Sequence, residues 1–559
     1  MKNKILKSLS VLAVSILAAG CIEETFPQGS VQTQDQVSSS DSGLKAMISA
    51  IPNSLVQAGF AGHLSRYKDQ LDFGMASIHL RTDHMLEDIV AMGDNPGYDW
   101  AIGYAGIAGF GPENVMCSYF WDCYYPWIKG ANDVISLVNP ETAAPEIKAL
   151  LGQALTYRAM FYLDMARLYQ PVENKYTDVS AVLDLTVPIV KETTTEEDAK
   201  NNPRVKKDVM YDFILTDLKN AAEYLKDEKG PSTQPTIGAV YGLMARAYLE
   251  MGYWEGSEVG GETAFKNAYD YAQKAIEASG RTPLTEAQWT DPKTGFNSAT
   301  ATNSWIWGLP VTVNNVGNLV AWPAHLSMEA TWGYSVLSHI GINKATYESI
   351  TEGDFRKKSW LDPDWTGFGG SYKADYKFAG STADAQSYVA NAVPYESIKF
   401  RPGNGNTQSW QEGNVADVVM MRVEEMYFIQ MEAKAHSDLG AAKTLLDNYM
   451  NNYRMIGGSG YACASKVSDL ESFLDEMLFQ KRIEFWGEGI VFYDYKRLKE
   501  GVTRGYAETN HPLAFCYNTE GPSPLWNIVI SRLEYQANTV IQSQNNPDPS
   551  GKLVLWNGK

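Results

Sequence analysis

Long stretches of this 559-residue chain interleave small alanines with large aromatic residues at intervals of three and four. The clearest stretch is GQALTYRAMFYLDMARLYQP, residues 152–171. Its recurring positions are Ala154, Tyr157, Arg158, Phe161, Tyr162, Met165, Leu168 and Tyr169. This spacing predicts an α-helix that ends at Pro171. Because small residues let paired helices approach closely, the pattern predicts helix pairs like those of tetratricopeptide hairpins.

Three further segments extend this helical pattern. Residues 235–254, PTIGAVYGLMARAYLEMGYW, predict one helix, and residues 417–450 predict two helices around Gly440. Residues 468–498, SDLESFLDEMLFQKRIEFWGEGIVFYDYKRL, predict another pair, bent at Gly487 and Gly489. No strict repeat of about 34 residues is present. The sequence therefore predicts a mostly α fold in which tetratricopeptide-like helix pairs form a frame.

The middle of the chain has a different composition. Stretches such as DPKTGFNSATATN and RPGNGNTQSW are rich in Gly, Pro, Asn and Asp and indicate turns and loops. Binding function tends to concentrate in loops held by a rigid scaffold. The predicted parts are a signal peptide (1–20), a lipidated tether (21–45), an N-terminal helical part (46–279), a loop-rich ligand-binding insertion (280–415) and a C-terminal helical part (416–559).

The first residues have the pattern of a targeting segment. Lys2, Lys4 and Lys7 precede an apolar run that is too short to span a bilayer but fits a secretory signal. Small residues then lead into Cys21, an arrangement that resembles the bacterial lipobox, although Leu17 stands one position further back than usual. By that resemblance Cys21 is the lipidated N-terminus of the mature chain, and its acyl chains attach the protein to a membrane.

Charge and motif content disfavour several functions. The formal net charge is -19, and it becomes -22 without the three lysines of residues 1–20, which disfavours nucleic acid and anionic membrane surfaces as partners. The chain has no G-x-S-x-G, H-E-x-x-H, P-loop or EF-hand consensus. His79, Asp83 and His84 in HLRTDH fit ordinary hydrogen-bonded side chains better than a metal site. We therefore predict no catalytic residues, no metal and no cofactor.

Four cysteines follow Cys21, and none of them forms a C-x-x-C pair. A zinc ribbon or a thioredoxin-like site is therefore disfavoured. A disulfide between Cys117 and Cys123 and four unpaired buried thiols both remain open.

Tryptophan is concentrated in the central segment. Seven of the fifteen tryptophans fall within residues 289–365: Trp289, Trp305, Trp307, Trp322, Trp332, Trp360 and Trp365. An indole offers a flat, electron-rich surface to the C–H face of a sugar ring, and neighbouring Asn, Asp, Gln and Arg can hydrogen-bond its hydroxyls. We expect most of these tryptophans to fasten the loops to the frame and two or three to face a ligand.

These motifs, in this order, resemble the SusD/RagB family of outer-membrane nutrient-uptake lipoproteins. The resemblance includes WDCYYPWIKGANDVI, the helical segments above, and QKRIEFWGEGIVFYDYKRL, which is similar to the ERRIEL…EG-R…DL-R signature of the family. Gln480 and Ile490 depart from that signature, and Asn527 and Val529 replace prolines of the C-terminal motif. The family gives the charged signature residues no catalytic role. Arg482, Glu484 and Glu488 are therefore predicted to form a structural ion-pair network that locks two helices.

The resemblance also implies a function. It implies a surface protein that binds oligosaccharide or polysaccharide and delivers it to a SusC-like TonB-dependent outer-membrane transporter, with a lipid anchor as its only membrane contact. By position in the family, the glycan-binding residues are predicted to be Trp332, Tyr334, Trp322 and Trp100. Peptide capture, as in some relatives, is the alternative, because an aromatic groove also suits peptides. A surface glycoside hydrolase is the third, since two placed carboxylates would suffice.

Overall fold

The computed structural model describes residues 41–61, 71–92, 110–363 and 393–558. Its α-helices are α1 Asp41–Leu55, α2 Met75–Asp83, α3 Val115–Leu137, α4 Pro145–Tyr169, α5 Glu196–Ala199, α6 Lys207–Tyr224, α7 Ile237–Gly252, α8 Gly261–Ser279, α9 Glu286–Trp289, α10 Trp322–Leu326, α11 Tyr334–Ser338, α12 Lys344–Glu348, α13 Trp410–Gly413, α14 Val423–Ala435, α15 Leu439–Tyr453, α16 Leu470–Glu484, α17 Val491–Leu498 and α18 Arg532–Ala537. Its strands are β1 Ile89–Ala91, β2 Trp305–Leu309, β3 Ile340–Ile342 and β4 Val418–Arg422. The described residues from Ile48 onward form one compact unit.

Helix α4 is a long helix that is buried over most of its length. Pro145 opens it at a position where a missing N–H costs nothing, and it ends at Tyr169, two residues before Pro171. Almost every side chain from Leu151 onward is buried, because α4 packs against both α3 and α6. The helical prediction for this segment is confirmed.

The other long helices also pack in neighbouring pairs. Helix α7 packs on α8, α8 on α14, and α14 on α15. Alanines of α8, including Ala264, Ala268, Ala272 and Ala275, are buried. Their small side chains allow the close approach that the sequence pattern predicts. The frame is therefore mostly helical and built from helix pairs, as expected.

Two details of residues 417–450 differ from the prediction. Val418–Arg422 is the strand β4 rather than the start of a helix, since its β-branched residues pair with β2. The break between α14 and α15 falls at residues 436–438, where the Asp438 side chain accepts a hydrogen bond from the N–H of Ala441 and caps α15. Gly440 lies inside α15.

Two short antiparallel sheets attach the central segment to the frame. Strand β1 pairs with β3, with Val90 opposite Gly341. Strand β2 pairs with β4, with Leu309 opposite Val418. Because β4 runs directly into α14, the β2–β4 pair fixes the central segment to a helix of the frame.

The turn between α16 and α17 depends on two glycines. Gly487 and Gly489 have φ values of 76° and 75°, in the region that favours glycine. The N–H of Gly489 donates a hydrogen bond to Asp83 of α2 at 3.0 Å. The predicted bend at these glycines is confirmed, and it brings the signature segment against α2.

Glu484 lies at the centre of a buried ion network. Its carboxylate accepts hydrogen bonds from Arg454 at 2.7 and 2.8 Å, from Arg422 at 3.2 Å and from Arg356 at 3.1 Å. All four side chains are fully buried. Burial alone would raise the pKa of Glu484, but the guanidinium groups of Arg454, Arg422 and Arg356 outweigh burial and hold that pKa below its usual range.

The other signature charges are paired as well. Arg422 donates to both Glu488 oxygens at 2.9 and 3.0 Å, and the Lys399 ammonium donates to Glu488 at 2.8 Å. Arg482 donates to Asp88 at 2.6 and 2.8 Å. The structural ion-pair reading of Arg482, Glu484 and Glu488 is therefore confirmed, and these residues join segments far apart in the chain.

The four cysteines of the described chain, Cys117, Cys123, Cys463 and Cys516, are free and buried. The disulfide between Cys117 and Cys123 is not formed. Burial raises the pKa of the Cys463 thiol to about 12 and holds the pKa of the Cys123 thiol well above its usual value, so both thiols are packed, unreactive side chains.

His511 is expected to make the protein less stable in acid. Its Nε2 lies 2.9 Å from the Glu87 carbonyl, and burial, together with Arg504, lowers its pKa to about 3 from 6.5. Between these two values the unfolded chain binds more protons than the folded chain, so stability falls as pH falls below 6.5. Going from pH 6.5 to about pH 5 is expected to cost about 2 kcal/mol through this side chain.

Denaturant unfolding of the wild type and His511→Gln at both pH values measures the contribution of His511 to the pH dependence of stability. The variant should lose about 2 kcal/mol less than the wild type over the same interval. Using the difference between two pH values removes any constant packing cost of the substitution. Equal pH dependence in the two proteins would contradict the assignment.

Candidate functional site

The tryptophans of the central segment divide by exposure. Five are almost fully buried: Trp289, Trp305, Trp307, Trp322 and Trp360. Trp332 is half-buried and is the most exposed of the described tryptophans in residues 289–365. Trp365 lies outside the described residues. The expectation that most of these rings are structural is confirmed for the described ones.

Trp322 and Tyr334, which the sequence analysis predicts to bind glycan, are both buried. Trp322 is 3% exposed, with its ring edge-on to Phe400 at 5.1 Å and to His79 at 6.2 Å. Tyr334 is 7% exposed and stacks on His325 at 5.3 Å. Both open short helices that pack into the core, so neither ring offers a sugar an open face. The prediction that they bind ligand is corrected to a packing role.

Trp332 lies in the turn before α11. Its indole Nε1 donates a hydrogen bond to the Asn414 side chain at 2.9 Å, and Asn414 in turn donates to the Gly317 carbonyl at 2.9 Å. The ring lies against Gly413, where a Cβ atom would come within 2.2 Å of it. These contacts fix the orientation of the indole, and such preorganisation lowers the entropic cost of binding.

The loop of residues 403–414 lies against Trp332. Its backbone is tied to the turn by a hydrogen bond from the Thr331 hydroxyl to the Thr407 carbonyl at 3.0 Å. Asn406 caps the following turn by accepting from the N–H groups of Gln408 and Ser409 at 2.9 and 3.0 Å. Exposed polar side chains follow along this loop: Asn404, Gln408, Gln411 and Glu412. The loop that contacts the half-buried indole therefore also carries exposed amides and a carboxylate, which can hydrogen-bond sugar hydroxyls.

Trp410 is a candidate site residue that the sequence reasoning missed. It begins α13 in the same loop and is half-buried. Because it lies outside the tryptophan cluster of residues 289–365, counting tryptophans does not find it. The available signal is its position in GNGNTQSWQEGN, where a tryptophan is embedded among Asn, Gln and Glu.

Two predicted functional residues lie outside the described residues, namely Cys21 and Trp100. Arg81 and Asp83 of α2 are buried. Arg81 places its guanidinium 3.9 Å from the centre of the Tyr119 ring, and Asp83 accepts the Gly489 hydrogen bond. Both are structural in this position. Among residues 41–61, 71–92, 110–363 and 393–558, no cluster of His, Cys, Asp and Glu could hold a metal ion.

Comparison with known proteins gives the family. A family model described as starch-binding associating with outer membrane matches residues 74–249, and the model of the SusD family matches residues 261–553. The chain therefore belongs to the SusD family. The SusD-like protein P2 of Formosa agariphila is 23% identical over 406 residues, which is 70% of this chain and 73% of the relative.

Solved structures share the fold. A SusD-like carbohydrate binding protein from Bacteroides vulgatus superposes with a TM-score of 0.67 at 18% identity, covering 90% of this chain and 98% of the other. Surface glycan-binding protein A from Bacteroides thetaiotaomicron, solved in complex with laminarihexaose, gives a TM-score of 0.56 at 16% identity, covering 92% and 99%. No helix in the described part of the chain has the length and apolar character needed to cross a membrane.

Proposed function

We propose that this protein is a lipid-anchored cell-surface binding protein that captures oligosaccharide and delivers it to a SusC-like TonB-dependent transporter. Membership in the SusD family supports this role. So do the relatives, one named as a carbohydrate binding protein and another solved with a glucan hexasaccharide. The predicted lipidation of Cys21 supplies the anchor.

The observation that carries the proposal is the Trp332 site. A half-buried indole is fixed by Asn414 and lies beside a loop of exposed amides. An indole face stacks on the apolar face of a sugar ring, and the amides donate to and accept from its hydroxyls. Trp410 and the residues of the 403–414 loop extend this surface. We place the ligand here.

The site suits binding better than hydrolysis. The loop of residues 403–414 carries one carboxylate, Glu412, which accepts a hydrogen bond from Asn406 at 2.5 Å. Glycoside hydrolysis commonly uses two carboxylates about 5–9.5 Å apart across the bond. The proposed role is therefore capture without cleavage.

Replacing Trp332 by alanine is expected to weaken glycan binding at least about tenfold, because the stacking surface is lost. The measurement is calorimetric titration of the full-length chain, in a detergent without a sugar headgroup, against a panel of plant, host and fungal polysaccharides. Trp556→Ala is the matched control, since Trp556 is also half-buried but lies in the C-terminal segment. That control should bind as the wild type does.

Each outcome has a distinct meaning. Binding of one glycan that Trp332→Ala weakens and Trp556→Ala leaves unchanged supports both function and site. Glycan binding that is equal in all three proteins contradicts the site. Heat from a mixed peptide digest, with none from the glycans, favours the peptide-capture alternative and contradicts the proposal.

A further inference from the structure

A cleft in the helical frame has no part in the Trp332 site. It lies among the C-terminal ends of α4 and α7, the N-terminal part of α6, and α17, and its volume is about 280 Å³. Pockets for drug-sized ligands typically measure about 300–1,000 Å³. The cleft lies just below that range, so its volume suits a small ligand of one or two sugar rings.

Polar groups with unused hydrogen-bonding capacity line this cleft. The Tyr211 hydroxyl has no hydrogen-bond partner among the described residues, although Glu250 and Arg167 are near enough to perturb it. Arg167 is nine-tenths buried, and its Nε has no partner among those residues either. Buried polar groups in native proteins almost always have a partner. The Arg167 Nε atom has almost no accessible surface, so a molecule bound in the cleft would supply a partner to the Tyr211 hydroxyl rather than to Arg167 Nε.

Glu250 adds an acceptor on the same wall. Its carboxylate receives one long hydrogen bond, from Arg497 at 3.3 Å. Burial raises the pKa of Glu250, and Arg497 and Arg167 oppose that effect without cancelling it. Further hydrogen bonds from sugar hydroxyls would stabilise this charged carboxylate. Glu250, Arg167 and Tyr211 together give the cleft both hydrogen-bond donors and acceptors.

Aromatic rings form the rest of the cleft. Trp254 meets Tyr211 edge-on at 5.0 Å, and the Arg167 guanidinium lies 3.7 Å from the centre of the Tyr493 ring. The Lys207 ammonium, paired with Asp184 at 2.9 Å, lies 5.2 Å from the Trp254 ring. The planar, rigid side chains therefore hold the polar groups in place.

The charges of the cleft nearly cancel. Its lining includes five basic and four acidic side chains, which are Arg167, Lys207, Lys496, Arg497 and Lys499 against Glu173, Asp184, Glu250 and Glu255. A strongly anionic or cationic ligand gains little from such a balanced lining. A neutral ligand with many hydroxyls can use both signs, since each hydroxyl both donates and accepts.

We propose that this cleft is a second binding site, for a neutral saccharide of one or two rings. Its residues belong to the helical frame, whereas the capture site lies on the loops of the central segment, so the two sites are separate. The proposal stands or falls independently of the Trp332 site. Only the chemical class of the ligand links it to the proposed function.

Tyr211→Phe tests this proposal, because it removes one hydroxyl that bonds nothing among the described residues. The full-length chain is titrated by calorimetry, in a detergent without a sugar headgroup, with common hexoses, pentoses and their α- and β-linked disaccharides at millimolar concentration. We expect one of these to bind the wild type and to bind Tyr211→Phe about tenfold more weakly. The melting temperature should be the same in both proteins.

Trp332→Ala separates the two sites. It should keep disaccharide binding at the cleft while losing affinity for the longer glycan. The proposal is overturned if no sugar of the panel binds, or if Tyr211→Phe binds it as the wild type does. Glycylglycine is the zwitterionic comparison, and its binding in place of the sugars, sensitive to Tyr211→Phe, would overturn the saccharide assignment.

Discussion

Replacing Glu484 by glutamine is expected to lower the free energy of unfolding by about 3–5 kcal/mol. Glutamine has almost the same shape, but it lacks the charge that balances Arg356, Arg422 and Arg454. All three guanidinium groups are fully buried and hydrogen-bonded to Glu484. Removing one partner of a buried ion pair is costly because the remaining charge stays out of water. Chemical denaturation of purified wild type and variant measures the difference.

Glu471→Gln is the matched control for this prediction. Glu471 lies in the first turn of the same helix, α16, and is exposed. An exposed substitution of this kind usually changes stability by less than about 0.5 kcal/mol. If Glu484→Gln lowered the free energy of unfolding no more than the control does, the prediction that the ion network stabilises the fold would be wrong.

Gly489→Ala is the second substitution with a large expected effect. Its added Cβ would lie 2.4 Å from Cβ and 2.5 Å from Cα of His79, at a φ of 75°. Helix α2 would have to move away from the turn, which would also strain the hydrogen bond to Asp83. The left-handed conformation costs about 1–2 kcal/mol and the clash about 1–3 kcal/mol more, so we expect a loss of about 3 kcal/mol.

Gly551→Ala separates the two contributions. Gly551 has a φ of 71°, but nothing lies within 4 Å of its added Cβ. Its loss should be about 1–2 kcal/mol, from the backbone conformation alone. Melting temperatures and denaturation midpoints of both variants give the comparison. Equal losses would show that the contact between the turn and α2 is not tight.

These two sites explain why the signature segment is built as it is. Glu484 closes α16 on arginines from three other segments, and Gly489 lets the following turn approach α2. Gln480 stands where the family pattern has glutamate, and its side-chain oxygen accepts a hydrogen bond from Arg356. Gln480 therefore contacts the same Arg356 that donates to Glu484. The charges of this segment are paired with residues from distant segments, and these pairs hold the fold together.

The proposed role needs a rigid frame that presents loops. Helix α14 follows β4 directly, and β4 pairs with β2 of the central segment. The 403–414 loop precedes β4 by only a few residues. The candidate site is therefore joined to the frame by a short piece of chain and by the β2–β4 sheet. Capture by stacking benefits from this arrangement, because less conformational freedom is lost on binding.

Local sequence determined the helices and their ends. The three- and four-residue spacing of α4, its stop before Pro171, and the bend at Gly487 and Gly489 are all present in the structure. These features depend on residues within one or two turns, so a short window contains the information. The strand at Val418–Arg422 was missed because its identity depends on pairing with Trp305–Leu309, more than a hundred residues away.

Only the tertiary structure decided which side chains are available to a ligand. Trp322, Tyr334 and Trp332 share one segment, yet the first two are buried and the third is half-buried beside Asn414 and Gly413. Exposure depends on what packs against a ring, and for Trp332 those contacts come from about eighty residues further along the chain. The sequence by itself determined the helical frame, the family resemblance and the chemistry of the central segment. Folding decided which tryptophan could face a sugar, because long-range packing controls solvent access.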